Sequence, residues 1–402
     1  MRDSDDATTS RSSGAWDVVI IGGGIAGLSL AAELSTDRRV AVLEKEPSLA
    51  AHTTGRSVAT FIQSYGNAAI QQLNADSLPF FQSAVSEAGV PFAKPLPFLY
   101  AASSSTVGLL DTIYDAARAH SREMRFLDGN LAVKFCPILR PGWVVRGLVD
   151  PTVLDIDVHA LMQHHAAALR SRGGMIATGV EIVSACHAGH TWVATDAHGN
   201  DYSAPVLVNA ANAWADAVAS RCGARPLGVT PLKRSVFTLA VPENVAAQSV
   251  PMVNAADEEF YFKPDAGQLL CSPADETATG ADVQGAERPD ELEIARALDG
   301  LARATVLDTR HVRTTWAGLR CFAADRTPLV GWDASVEGFF WYTALGGYGI
   351  QTSPALSRVG AELVRGGAAG EGVIPETAAA LDPAREMHAV GRHESHPPAG
   401  HA

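Results

Sequence analysis

The chain has 402 residues, 47% of them hydrophobic and 19% charged, enough for two or three domains' worth of folded polypeptide. Its 31 basic and 44 acidic residues leave a net charge of −13, which argues against the basic footprint that a nucleic-acid partner requires. Five scattered cysteines (Cys136, Cys186, Cys222, Cys271 and Cys321) show no CxxC spacing, so neither a redox dithiol nor a zinc knuckle is expected, and no metal site is.

Residues 1–15 are acidic and polar, lack the basic-then-apolar order of a signal peptide, and are expected to be disordered in a cytoplasmic protein. Trp16–Ile21 reads as a strand, a glycine turn follows, and Ile25–Leu34 reads as a helix. The apolar stretch Val18–Leu34 carries four glycines and Glu33, so a buried strand and helix explain it better than a membrane span. Arg39–Leu43 is the next strand, and helical patterns run from about 57 to 88. Prolines 91, 95 and 97 then break the alternation, as at the start of a different domain. Asp155 or Asp157 can cap a helix running to about Arg170. Met175–Ala185, Thr191–Thr195 and Val206–Asn209 read as strands, and Leu227–Val241 and Phe260–Ser272 as strand-rich stretches. Gly338–Thr343 is an aromatic strand, followed by a glycine turn and a helix over Ser353–Val364. The tail after about Asp382 is expected to be disordered, its His393, His396 and His401 solvated.

Gly22, Gly24 and Gly27 hold the GxGxxG spacing between the first strand and helix. Gly22 permits the tight turn, Gly24 lets the backbone approach a pyrophosphate, and Gly27 lets the helix pack on the strand. The helix N-terminus then faces the phosphate charge. Glu44 ends the second strand where a carboxylate can hold ribose hydroxyls, which disfavours a 2′-phosphate and leaves NAD and FAD open.

The segments HTTGRSVATF, VLVNAANAWADAVA, TTWAGLRCFAADRTPLVG and FFWYTALGGYGIQTSPALS decide between them. Together they resemble the D-amino-acid oxidase-like FAD family, which includes glycine and sarcosine oxidases, and within it the bacterial D-arginine dehydrogenases, from about residue 16 to about residue 370. The resemblance implies an α/β protein. Segments 16–89, 144–225 and 314–375 would build a Rossmann-like FAD-binding domain, and 90–143 and 226–313 a mixed-sheet α+β substrate domain, with 383–402 as a disordered tail. It implies FAD contacts from Gly22, Gly24, Ala26, Gly27, Glu44 and Lys45, and from Thr53, Thr54, Gly55, Arg56 and Ser57. Val180 would hold the adenine through backbone groups. Gly347, Tyr348, Gly349, Ile350, Gln351 and Thr352 would meet the flavin at a helix N-terminus, where reduction places negative charge. The family usually has glycine after NAA. Here Asn212 stands there, the residue that best tolerates a left-handed backbone after glycine. Cys321 directly follows Arg320, nearer Asp325 than a flavin-linking cysteine usually lies, so non-covalent FAD is expected.

For the substrate, the resemblance implies a carboxylate clamp of Arg234 and Arg320 helped by the hydroxyls of Tyr65 and Tyr261, with Gly318 in the same TWAGLR segment. Arginine suits the task because its planar fork binds a carboxylate bidentately. The residue that receives a substrate guanidinium falls at Phe98, and the histidine at the pocket mouth at Thr60. Either an acid from elsewhere, such as Glu87 or Asp257, substitutes, or the preferred substrate is an apolar or aromatic D-amino acid, the latter being expected. The implied reaction takes hydride from Cα to the flavin, giving an imino acid that water converts to a 2-keto acid and ammonia. A quinone, another carrier or oxygen would accept the electrons. A secondary amine or a 2-hydroxy acid would suit the same clamp. A pyridine-nucleotide flavin reductase would normally show a second GxGxxG, and a non-catalytic FAD- or NAD-binding module has no need of the clamp.

Overall fold

The computed structural model describes residues 16–86, 88–119, 121, 123–279, 288–366 and 375–389. Residues 1–15, Glu87 and the tail histidines His393, His396 and His401 lie outside them. Among the described residues no helix is long and apolar enough to cross a membrane.

Val18–Ile21 reads VVII, apolar on both faces, as a strand buried from both sides must be. Val206–Asn209 pairs with it in parallel on one side and Val40–Glu44 on the other. Met175–Thr178 extends one edge, Phe339–Thr343 the other, and Leu329–Trp332 closes this six-stranded sheet antiparallel. Successive side chains face opposite ways, so Val18, Ile20, Val40 and Val42 join one core and Val19, Ile21, Ala41 and Leu43 another. The helices Ile25–Leu34, Val158–Ser171 and Gly349–Arg365 cover the first through residues such as Leu28, Leu161 and Leu356. An antiparallel sheet of Ile182–Ala188, Thr191–Asp196 and Asp201–Ala204 covers the second, with Trp192 and Ala194 inside.

A nine-stranded mixed sheet forms the other half. Its order runs Thr277–Ala278, Thr230–Leu239, Gln268–Ser272, Tyr261–Asp265, Met252–Ala255, Phe98–Ala102, Arg146–Val149, Arg125–Asp128, with Thr315–Phe322 antiparallel on Thr230–Leu239. Two of these strands depart from the division read from sequence. Arg146–Val149 pairs with Phe98–Ala102, and Thr315–Phe322 with Thr230–Leu239, so by sheet membership the returns to the first sheet follow Val149 and Phe322 rather than 144 and 314. Partners distant in sequence decide membership, and a strand's own composition does not reveal them.

Local departures have local causes. The expected helix from 57 is interrupted by left-handed Ala59 (φ 52°) and Gly66 (φ 89°). A short strand at Thr60–Phe61 precedes the helix Ala68–Ser83, which Asn67 caps by accepting from the Ile70 amide. Gly179 (φ 71°) splits Met175–Ala185 into two strands in different sheets. Phe260–Ser272 is a hairpin turning at Ala266 and Gly267, both at positive φ. Asp157 is the cap that forms, accepting from the Ala160 amide, while Asp155 pairs with Lys263. The tail is placed beyond 383: the Arg385 guanidinium donates to Asp325 and to the Thr327 carbonyl, and Met387 packs on Leu329 and Ala344.

Candidate active site

A cavity of about 780 Å³ follows the carboxyl ends of the first sheet, where open α/β sheets take their ligands. Main chain shapes it. Gly22 sits at φ 118°, and a Cβ there would lie 2.5 Å from the Ala210 carbonyl oxygen. Gly27 stands behind the turn, where a Cβ would meet the Gly22 carbonyl oxygen at 1.9 Å. Gly24 starts the helix Ile25–Leu34, and Thr54 Oγ1 accepts from the Ile25 amide at 3.1 Å, tying the 50–57 loop to that helix end. Gly22, Gly24, Ala26, Thr53 and Thr54 line this stretch. Gly55 packs against Ala50 instead, with no room for a Cβ.

Glu44 also faces the cavity. Its carboxylate accepts from the Gly23 amide at 2.7 Å and the Glu46 amide at 2.9 Å, and its carbonyl accepts from Val180. The glycine turn and the acid are thus one hydrogen-bonded unit. Lys45 lies 3.8 Å over the Trp214 ring and pairs with Glu46 at 3.4 Å. His52 pairs with the same Glu46 and meets Trp214 at 4.8 Å. The carboxyl of Glu46 is held below its usual range, first by the His52 hydrogen bond. Trp214 and His52 were not anticipated from the sequence, since only the fold brings the 46–52 loop against the 212–214 turn. Asn212 takes the left-handed backbone expected of it (φ 49°), and its Nδ2 donates to Thr53 Oγ1. Arg56 lines the cavity beside Ser57, but its guanidinium donates to the Ala51 and Ala317 carbonyls, joining the two sheets.

The Gly349–Arg365 helix begins four residues before the expected Ser353, so its N-terminus reaches this cavity with Gly347, Gly349 and Ile350 in the wall. A Cβ on Gly347 would come within 2.9 Å of Arg320 Cζ. Tyr348 and Thr352 do not line it. Tyr348 is 2% exposed, and the Thr352 hydroxyl donates to the Tyr348 carbonyl. Gln351 is committed to Asn74 and Ile62 but borders the smaller cavity next door.

That second cavity, about 90 Å³, shares Ser57, Val58, Arg234, Arg320, Gly347 and Ile350 with the first. Arg234 and Arg320 reach it from paired strands. Arg234 stands opposite Gly318 and Arg320 opposite Leu232, so the two arginines share one face on the diagonal, with the bare Gly318 between. Tyr65 Oη accepts from Arg320 at 3.1 Å. Tyr261 Oη is buried with no partner among the described residues, as is Asn254 Oδ1. Thr60 is in the wall, its hydroxyl 3.6 Å from Met252 Sδ. Burial opposes the Arg320 charge, yet Tyr65, Tyr261 and Glu276 outweigh it and hold the guanidinium above its ordinary pKa. Burial likewise opposes the charge on Glu276, and Arg326 and Arg234 more than offset it, so this carboxyl sits below its usual range.

Phe98 is a correction. It lines neither cavity, is fully buried, and packs edge-on against Tyr100 at 4.7 Å within a cluster containing Ile62, Val153 and Met252. Met252, Asn254 and Glu258 line the smaller cavity instead, with Glu258 in a left-handed turn at φ 59°. Met252–Ala255 lies beside Phe98–Ala102 as its parallel neighbour in the sheet, a pairing no local pattern announces. Cys321 faces away from both cavities, among Leu319, Ala213 and Val229, and burial pushes its thiol up.

A family model described as "DAO: FAD dependent oxidoreductase" matches residues 17–363. The chain belongs to this family. It is an FAD-dependent oxidoreductase, and the glycine turn without room for a Cβ, the Glu44 carboxylate and the cavity beside them suit FAD. Similar curated proteins include the FAD-dependent oxidoreductase domain-containing protein 1 of Xenopus laevis, 24% identical over 87% of this chain and 79% of that one. The mitochondrial dimethylglycine dehydrogenase of Mus musculus is 23% identical, and this chain spans only 40% of it. Among solved structures, glycine oxidase from Geobacillus kaustophilus superposes with a TM-score of 0.79 at 21% identity, covering 93% of this chain and 99% of that one. L-proline dehydrogenase from P. horikoshii superposes at 0.76 and 18%, covering 92% and 97%. Those of these proteins whose names state a substrate name different ones, so family membership leaves the substrate open.

Proposed function

We propose that this DAO-family enzyme oxidises a small amino acid at its α-carbon, a D-amino acid first among the choices, with its carboxylate held by Arg234 and Arg320. The supporting observation is the convergence of the two guanidinium groups with Tyr65 and Tyr261 on a small cavity that opens into the FAD cavity. The nearness to D-arginine dehydrogenases read from the sequence belongs to this proposal. Bound FAD supplies the two-electron oxidant. The protein's part is to hold the carboxylate so that the α-carbon meets the larger cavity. Arg320, oriented by Tyr65 and shaped around the bare Gly347, gives one fork, and Arg234 the other. The unpartnered Tyr261 hydroxyl is free to donate to the same carboxylate. Two guanidinium groups oppose a cationic amine beside them, so the neutral amine is the form that reacts. Its lone pair forms the C=N bond as the α-hydrogen leaves with its electron pair. Water then hydrolyses the imino acid to a 2-keto acid and ammonia.

Glu258 borders the cavity and Phe98 does not, which keeps a basic or polar side chain among the substrates to be tested beside the apolar and aromatic ones. A second reading rests on volume, since a 90 Å³ cavity also suits glycine or an N-methyl glycine. Anaerobic mixing of the holoenzyme with D-, L- and N-methyl amino acids and 2-hydroxy acids, read by loss of flavin absorbance, separates them. Fastest reduction by a D-amino acid supports the first reading. Reduction by N-methyl glycine alone transfers support to the second.

A further inference from the structure

Behind the clamp sits a residue that touches neither cavity yet backs both arginines. Arg326 holds a left-handed backbone (φ 60°), unusual for a long side chain. Its guanidinium donates to Glu276 Oε1 at 2.7 Å, and Arg234 donates to that same oxygen at 3.4 Å. All three side chains are about nine-tenths buried. The Arg326 guanidinium also lies 3.8 Å over Phe322, which meets Tyr348 edge-on, which in turn meets Tyr65, the acceptor of Arg320. One side chain therefore reaches Arg234 through a shared carboxylate and Arg320 through three rings in edge-on contact.

Its own position is fixed from the far end of the chain. Arg385 donates from Nε to Asp325 Oδ2 at 2.7 Å, and from Nη2 to Asp325 Oδ1 and the Thr327 carbonyl, both at 2.9 Å. This fork brackets Arg326 on both sides, and Asn67 donates to the Thr327 hydroxyl at 2.8 Å. We propose that Arg326 is a positioning residue for the carboxylate clamp and that Arg385, in the C-terminal segment, latches it in place. The proposal rests on the reading of Arg234 and Arg320 as that clamp. Without Arg326 at the shorter distance, Glu276 is left to the clamp arginines, Arg234 above all, and competes with a substrate carboxylate for them.

The holoenzyme is titrated with anthranilate, an aromatic carboxylate with no oxidisable Cα–H, and binding is read from flavin absorbance. Arg326→Met is expected to weaken binding tenfold or more and Arg385→Met threefold or more, with FAD affinity unchanged within twofold. The double variant should bind no more weakly than Arg326→Met alone, because a latch acting through Arg326 has nothing left to hold. Additive losses, parallel loss of FAD, or wild-type binding by Arg385→Met would overturn the proposal. Arg320→Met is the control for the underlying reading: if it binds anthranilate normally, the clamp itself is wrong. Should Arg326→Met yield no folded holoenzyme, Arg385→Gln decides, unchanged anthranilate binding overturning the latch and weakened binding with FAD retained supporting it.

Discussion

The larger cavity is shaped at its glycine turn by main chain, the smaller by side chains that include two arginines from paired strands. In the first, glycines and amides do the shaping, and the tolerance of each position is steric: a Cβ at Gly27 would stand 1.9 Å from a carbonyl oxygen. In the second, Arg234 and Arg320 reach in from paired strands, and the tolerance of those positions is electrostatic. Arg234, Arg320, Arg326 and Glu276 form a buried charge network whose members hold each other. The difference teaches that one chain can lose its cofactor through a methyl group and lose its substrate through a charge, with little crossover.

The largest effect tests the first half of that contrast. Gly27→Val should leave the protein without flavin, the overpacking costing about 3 kcal/mol or more, checked by the ratio of flavin to protein absorbance. Flavin retained at the native ratio would break the steric account. Next, Phe98→Glu should destabilise by more than about 3 kcal/mol in urea unfolding, because it buries an unpaired carboxylate in a packed cluster. A folded variant that instead gains activity on D-arginine would put residue 98 back in the site. Arg320→Met should cut kcat/KM by the equivalent of about 2–5 kcal/mol while FAD stays bound, and normal flavin reduction by the best substrate would remove it from the site.

A smaller effect concerns the helix layer over the cofactor sheet. Burial, then the charge of His164, lowers the pKa of His165 to about 3. The folded state therefore favours the neutral ring. Its stabilisation is complete above the unfolded value near 6.5 and declines as pH falls from 6.5 toward 3, by about 1.4 kcal/mol per unit. His165→Leu should flatten the melting temperature between pH 6.5 and 5, and an unchanged slope would assign it elsewhere. The smallest expected effect is none at all. Acid precipitation should release free FAD from both wild type and Cys321→Ser, and colour remaining in the wild-type pellet would show a covalent link.

Legibility followed the same divide. Gly22, Gly24, Gly27 and Glu44 were readable because a phosphate turn is a local object whose residues keep their spacing in the chain. Arg234 and Arg320 were named through resemblance, and their diagonal across paired strands could not be read from spacing alone. Phe98 lines neither cavity while Met252 and Asn254 of the strand beside it line the smaller one, and that strand lies more than a hundred residues away in sequence. Glu258, Trp214 and Arg326 gave no signal in isolation. A lone acid, a lone tryptophan and a lone arginine look like surface or core until the strands are paired. The tail reads as unstructured because it is rich in Pro, Gly, Glu and His, and Arg385 and Met387, which dock, carry no pattern.

The order of strands in the first sheet also sets a schedule. Val18–Ile21 emerges first but lies in the middle, waiting for Val206–Asn209 on one side, and the sheet closes only with Phe339–Thr343 and Leu329–Trp332. During synthesis the glycine turn exists long before its second wall does. The flavin cradle is therefore finished only once the start of the helix Gly349–Arg365 has been made, and until then the apolar strand Val18–Ile21 lacks part of its cover.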